Sequence, residues 1–356
     1  MVKVSRENCY YFGPGPSLLP KAVLDAFDCS NVSLGSASLR FYELSHRHPV
    51  SRQRQAEVID LFRSLYAVPD DYEVFFMAGG ARHQYEHIVS NFSDHFRFRL
   101  LESGYWSRLF GSTVAKICPD KLMTDRFDLQ SVTLDYDERQ SCDELLLTVQ
   151  NETADGVMLP QGVISHPGMV ADVTSSLGFT KINIADYAML YAASGKALGV
   201  AGMTIVILRR SLLERTSSCL PPLQSYRSCV ESKSLYATPP LVCVDMLWHM
   251  LGWVQSKGGV DALEHHQRTR SQQLYDLLDT HPLYDVVVPH RYRSTQNICF
   301  AISASHQQDF FQRAEAQGIH GLCGHSGVGG ARVNLYHGVT DDAFDYLLSF
   351  LTSYGV

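Results

Sequence analysis

Gly168-Met-Val-Ala-Asp172-Val-Thr-Ser-Ser176, followed by Leu190-Tyr-Ala-Ala-Ser-Gly-Lys196-Ala-Leu-Gly-Val-Ala-Gly202, is the part of the sequence on which the fold depends. In the first stretch a short apolar run ends on a carboxylate, and hydroxyl-bearing turn residues follow. In the second, a lysine stands just past another apolar run, among alanines and glycines. Short apolar runs bounded by polar turns predict strands buried on both faces, the kind found in a largely parallel sheet. Asp172 and Lys196 would then sit at the ends of neighbouring strands, one crossover apart. From spacing alone, a second account stands beside the chemical one: Asp172 caps the turn into Thr174-Ser175, and Lys196 is a solvated loop lysine.

Working outward, the pattern repeats. Apolar strands are expected at 73–77, 144–149, 157–159, 168–173, 189–193 and 203–208, and helices at 18–27, 51–65 and from about 85 to 89. The strand at 73–77 runs into Ala78-Gly-Gly-Ala81 and then a helix start, a geometry that aims backbone N–H groups at an anion. Strands alternating with helices predict an α/β fold with a sheet covered on both sides, and functional groups gather at strand ends in such sheets. Near Gly258-Gly259 the texture changes to a charged helix, strands at 284–288, 297–302 and 331–336, and helices at 308–317 and 341–351. This predicts a large domain over 16–258 and a smaller α+β domain over 259–356, with the segment 1–15 packing near the latter.

Composition narrows the function classes. The 356 residues are 45% hydrophobic and 19% charged, as in an ordinary globular protein, with a net charge of −7 that argues against nucleic-acid binding. Any phosphate must therefore be caught by local donors. The nine cysteines include no C-x-x-C pair, which argues against a zinc site or disulfide framework and for a reducing cytoplasm. No apolar run is long enough to cross a membrane, and 241–254, which contains Asp245 and His249, reads as a packed helix.

A lysine with room for an aldehyde and a carboxylate one strand away is what pyridoxal phosphate chemistry needs. The amine tethers the cofactor, and the carboxylate keeps the pyridine nitrogen protonated. The surrounding residues sharpen this. Asp172-Val-Thr-Ser-Ser176 and Tyr191-Ala-Ala-Ser-Gly-Lys196-Ala-Leu-Gly-Val-Ala-Gly-Met-Thr204 resemble the cofactor segment of the phosphoserine aminotransferases. Phe12-Gly-Pro-Gly-Pro16, Ser45-His-Arg47, Gly79-Gly-Ala81 through Gln84, Asn151-Glu-Thr-Ala-Asp-Gly156, Thr238-Pro-Pro240, Gly324-His325 and Gly329-Gly-Ala-Arg332 match further motifs, in order along almost the whole chain.

The resemblance implies a class V, fold type I transferase: a mainly parallel seven-stranded sheet flanked by helices, and a smaller C-terminal domain. It also implies a homodimer with active sites at the subunit interface, and transamination between O-phosphoserine and 2-oxoglutarate. By the same resemblance, Lys196 and Asp172 are catalytic. Ala81 and Arg82 bind the cofactor phosphate, Trp106 stacks on the ring, Thr153 bonds its phenolic oxygen, and Thr238 reaches the phosphate from the neighbouring subunit. Arg332 takes the substrate carboxylate, and His46, Arg47 and His325 form a cationic pocket for the substrate phosphate. Three positions depart from the family pattern: Gly195 for glutamine, Ala237 for asparagine and Ser326 for arginine. They leave open a paralogue for another phosphorylated, phosphonate or small amino acid. A lyase or desulfurase using Cys323 and a non-catalytic homologue are further alternatives.

Overall fold

The computed structural model describes residues 10–126 and 143–355. A seven-stranded sheet organises the larger part of the chain. Its strands are β1 (Tyr72–Ala78), β2 (Arg97–Glu102), β3 (Leu122–Arg126), β4 (Glu144–Val149), β5 (Met169–Asp172), β6 (Met189–Ala193) and β7 (Met203–Arg209). Across the sheet they lie in the order β1-β7-β6-β5-β4-β2-β3. All pairs from β6 to β3 are parallel, and β7 alone runs antiparallel, against both β6 and β1.

A parallel sheet needs cover on both faces, and successive side chains along each strand divide between them. Leu145 and Leu147 of β4 join one apolar cluster while Leu146 joins the other; Val170 and Ala171 of β5 split the same way. One face packs on helices Pro49–Tyr66 and Leu241–Ser256, through Val58, Phe62, Val244 and Leu247. The opposite face packs on Ala81–Phe92 and Tyr105–Ile117, through Tyr85, Ile88, Phe110 and Val114. The fold is the α/β arrangement expected of the family.

A separate apolar cluster gathers Phe12 with residues from Leu274 to Tyr354. It is built on a three-stranded antiparallel sheet of Tyr284–Asp285, Asn297–Ile302 and Ala331–Asn334. Tyr10–Tyr11 pairs parallel with Ile319–His320, which fastens the start of the described chain to this part. Helix Gly259–Thr280 contributes to both bodies: Val260 and Leu263 pack with the large sheet, Leu274 and Leu278 with the small one.

Several elements differ from expectation. The strand at 157–159 is Val157–Met158, paired with Asn151–Glu152 in a two-stranded hairpin outside the main sheet. Gly156, at φ +75°, lets the chain turn back there. The strand expected over 284–288 stops at Asp285, and Val287 is exposed. Strands β2 and β3 and helix Tyr105–Ile117 are additions. Arg97 and Arg99 interrupt the apolar pattern of β2, yet Arg99 is buried because Glu144 of β4 and Asp125 of β3 each meet it at 2.9 Å. Among the described residues no helix is long and apolar enough to cross a membrane, and no group of three His, Cys, Asp or Glu could hold a metal ion.

Candidate active site

Strands β1, β4, β5 and β6 all point the same way, so their carboxyl ends open on one edge of the sheet, where ligands of open α/β sheets bind. Asp172 ends β5, in register with Val149 and Tyr191 on the strands to either side. Lys196 follows β6 by three residues. Between these ends lies a cavity of about 510 Å³, lined among others by Ala81, Arg82, Trp106, Thr153, Asp172, Lys196, His325 and Arg332. The structure therefore brings these expected residues together.

It does not bring His46, Arg47 and Thr238 into that cavity. Thr238 lies in a neighbouring groove with Leu223 and Tyr236, and its hydroxyl stands 3.2 Å from His46 Nδ1. Arg47 and Thr238 are exposed. His48 is taken up elsewhere: its ring accepts the Val50 N–H and caps helix Pro49–Tyr66.

The cavity's groups suit an anionic ring with a basic nitrogen. Asp172 is 6% exposed and accepts the Thr174 N–H at 2.9 Å. Burial pushes its carboxyl above the usual range, opposed by Thr174 and by the charge of Lys196. A buried carboxylate facing a cavity calls for a cationic or N–H partner, which a protonated pyridine nitrogen supplies. At the start of helix Ala81–Phe92, Gly80 donates to His83 Nδ1 at 3.0 Å, while the N–H groups of Ala81 and Arg82 have no partner among the described residues. Such a helix start favours a phosphate. Thr153 Oγ1 accepts from Trp106 Nε1 at 2.8 Å, which leaves its own proton to donate into the cavity.

Arg332 is 3% exposed, and its Nη1 donates to the Thr153 carbonyl at 2.5 Å. No carboxylate lies within ion-pair distance among the described residues, and its Nε is without a partner. A buried guanidinium in that condition is a ready fork for a carboxylate. His325 packs beside it, its ring 4.2 Å from Tyr105 and edge-on to Trp106 at 5.7 Å. Burial and the Arg332 charge hold that imidazole below its ordinary range.

Some residues that shape the site have no role assigned in the sequence reading. Glu152 is fully buried and caps helix Tyr105–Ile117, accepting the N–H groups of Trp106 (2.7 Å) and Ser107 (2.8 Å); Asp155 accepts that of Tyr105 (2.7 Å). Gly104 is required by this closeness, since a Cβ there would stand 2.7 Å from both carboxylates. Burial pushes the Glu152 carboxyl up to about 7, against the pull of its N–H donors. Tyr336, Asn297 and Asn334 also escaped notice; the alternate spacing Arg332-x-Asn334-x-Tyr336 is the signal that could have found them. Gly195 fits a tight loop, where a Cβ would meet Ala201 Cβ at 3.0 Å. Cys323 is exposed and does not line the cavity.

An α/β subunit with lysine, carboxylate and arginine converging at the strand ends is the architecture of an aminotransferase. The chain belongs to the class-V aminotransferase family, whose description matches residues 9–347. Among its relatives, the phosphoserine aminotransferase of Lysinibacillus sphaericus is 32% identical, covering 98% of each chain. That of Shewanella frigidimarina is 30% identical with the same coverage. The solved phosphoserine aminotransferase from Bacillus circulans subsp. alkalophilus superposes with a TM-score of 0.89 at 27% identity, covering 97% of this chain and 98% of that one.

Proposed function

We propose that the chain is a pyridoxal-phosphate-dependent aminotransferase acting on O-phosphoserine and 2-oxoglutarate, interconverting them with 3-phosphohydroxypyruvate and glutamate. The observation that carries this reading is the convergence of Lys196, Asp172 and the unpaired Arg332 in one cavity, together with full-length relatives that bear that activity in their names.

Bound pyridoxal phosphate supplies an electron-withdrawing ring that stabilises negative charge at the substrate Cα. Lys196 would be its attachment point, and its amine, when free, would carry the proton to and from the substrate Cα as general base and acid. Asp172 holds the proton on the ring nitrogen. The Ala81 and Arg82 N–H groups take the cofactor phosphate, Trp106 covers the ring face and Thr153 donates to the phenolic oxygen. Arg332 grips the α-carboxylate in a planar fork and so fixes which Cα bond faces the amine.

His46, Arg47 and Thr238 complete the site from a partner in a homodimer, with His325 joining the two histidine–arginine residues around the substrate phosphate. Exposed Leu223 and Tyr236 beside Thr238 support a covered surface there. We place the domain division at Gly258–Gly259, giving 16–258 and 259–356 with the N-terminal segment against the second. A reducing compartment accords with the free thiols of Cys29, Cys118, Cys219, Cys229, Cys243, Cys299 and Cys323; Cys9 and Cys142 lie outside the described residues.

The test is a donor screen. Phosphoserine, glutamate, alanine, phosphothreonine and aminophosphonates are offered singly to the loaded enzyme, and loss of the visible band of the lysine-bound cofactor is followed. Phosphoserine and glutamate should discharge it fastest. Discharge by another donor with phosphoserine inert would establish a paralogue instead, one in which Ser326 is not compensated.

A further inference from the structure

Arg332, Asn334 and Tyr336 occupy alternate positions along one strand and its extension, so they share a face. All three are buried, and the last of them reaches Lys196. A tyrosine hydroxyl has one proton to give and two lone pairs. That of Tyr336 donates to the Pro14 carbonyl at 3.1 Å and accepts from Asn297 Nδ2 at 3.0 Å and from Lys196 Nζ at 2.9 Å. Its capacity is full and its direction is fixed.

Asn297 is fixed in turn. Its amide also donates to Asn334 Oδ1 at 2.6 Å, and its carbonyl accepts from Asn151 Nδ2 at 2.7 Å, which reaches Ser175 Oγ at 2.8 Å. Lys196 Nζ has Pro14 O as a second acceptor, and Gly15 closes over the stem, where a Cβ would lie 3.3 Å from the lysine's Cδ, Cε and Nζ. Gly15 itself has φ +120°. The amine is thus held at a defined place on the cavity wall by groups outside the cofactor-binding set.

We propose that Tyr336 is a positioning residue for the Lys196 amine: whenever that amine carries no covalent partner, the Tyr336 hydroxyl holds it against the Pro14 carbonyl. A lysine on a flexible four-carbon stem otherwise samples many rotamers, and a proton carrier must be in place when the reacting carbon is. Because Arg332 and Tyr336 ride on the same strand, the carboxylate fork and the lysine anchor keep a fixed spacing. The inference rests on Lys196 being the reactive amine.

Tyr336→Phe removes one oxygen and leaves the ring packed on Phe179. Two readouts follow. In cofactor-free protein, acetylation of Lys196, read by peptide mass spectrometry against exposed Lys21, should become about tenfold faster, the effect of losing one hydrogen bond to a charged group. In the loaded enzyme, kcat should fall about tenfold while the KM of the amino donor stays within about twofold. Acetylation and kcat both within about twofold of wild type would overturn the proposal. Should that variant fail to fold, Asn297→Ser, which frees the tyrosine without removing it, should shift both readouts the same way by a smaller factor; no shift in either overturns the proposal. Full turnover by Lys196→Ala would instead sink the assignment of Lys196, which the acetylation rate in cofactor-free protein does not touch.

Discussion

The cavity at Lys196 and the groove at Thr238 lie on either side of the end of β1: Met77 and Ala78 line the groove, Gly80 and Ala81 the cavity. They differ in what one chain provides. In the cavity three of the predicted groups have a neighbour that orients them: Thr174 holds Asp172, Thr153 holds Trp106, and the Thr153 carbonyl holds Arg332. In the groove Thr238 meets His46 and apolar side chains stand open, while Arg47, outside the groove's lining, is exposed. One region holds groups fixed against one another within the chain, while the other leaves polar and apolar side chains open.

That contrast can be broken most sharply at Lys196. Lys196→Ala should lose the visible cofactor band and lower kcat by about 10³–10⁴-fold, the scale of a lost general acid–base group; spectroscopy and steady-state turnover check both. Next comes Arg332→Ala, which should raise the KM for amino donors about 10²-fold, with Arg332→Lys recovering part of the loss but not the fork geometry. The groove predicts a smaller and different effect. Arg47→Ala should cost about tenfold in kcat/KM with a phosphorylated donor. Refolding it with an equal amount of Lys196→Ala chains should then restore about a quarter of wild-type activity, since half the dimers are mixed and one site in each is intact. No recovery would mean the groove serves no partner's cavity.

The smallest effect concerns Glu152, which braces the Trp106 helix. With its carboxyl at about 7 in the fold against an ordinary 4.5, the folded chain holds more protons than the unfolded one between those values. Its contribution therefore makes stability fall as pH rises through that window, by at most about 1.4 kcal/mol per pH unit. Half-buried His249 and His337, pushed down to about 4 from 6.5, act in the opposite sense: the unfolded chain takes up protons that the folded one refuses, so stability falls with acid. Glu152→Gln removes the first and leaves the second, and the melting temperature should then drop more steeply from pH 6.5 to 4.5 than in wild type.

How much of this was legible depended on where each residue finds its partner. Strands β4, β5 and β6 read directly because their runs are mainly apolar and largely buried. Strand β2 did not, because Arg99 is tolerable only once Glu144 and Asp125 come alongside. The hairpin at Asn151–Glu152 and Val157–Met158 imitated a sheet strand, since two apolar residues carry no record of which strand they pair with. Asp172 and Lys196 stood out by chemical type beside strand ends. Tyr336 and Asn297 did not, because a tyrosine or asparagine is ordinary until its partners, Lys196 and Asn151, arrive from well over a hundred residues away.

Asn334 Nδ2 holds the Phe12 carbonyl across 322 residues of sequence, and Tyr10–Tyr11 waits for Ile319–His320. On a ribosome Tyr10–Tyr11 emerges long before Ile319–His320 and cannot pair until that strand has been made. Such distant pairings close late, after local helices and hairpins have formed. Since Pro14 and Gly15 lie against Lys196 just downstream of that clasp, the pocket's wall is completed only after Ile319–His320 has been synthesised, which sets the earliest moment at which a nascent chain can be loaded.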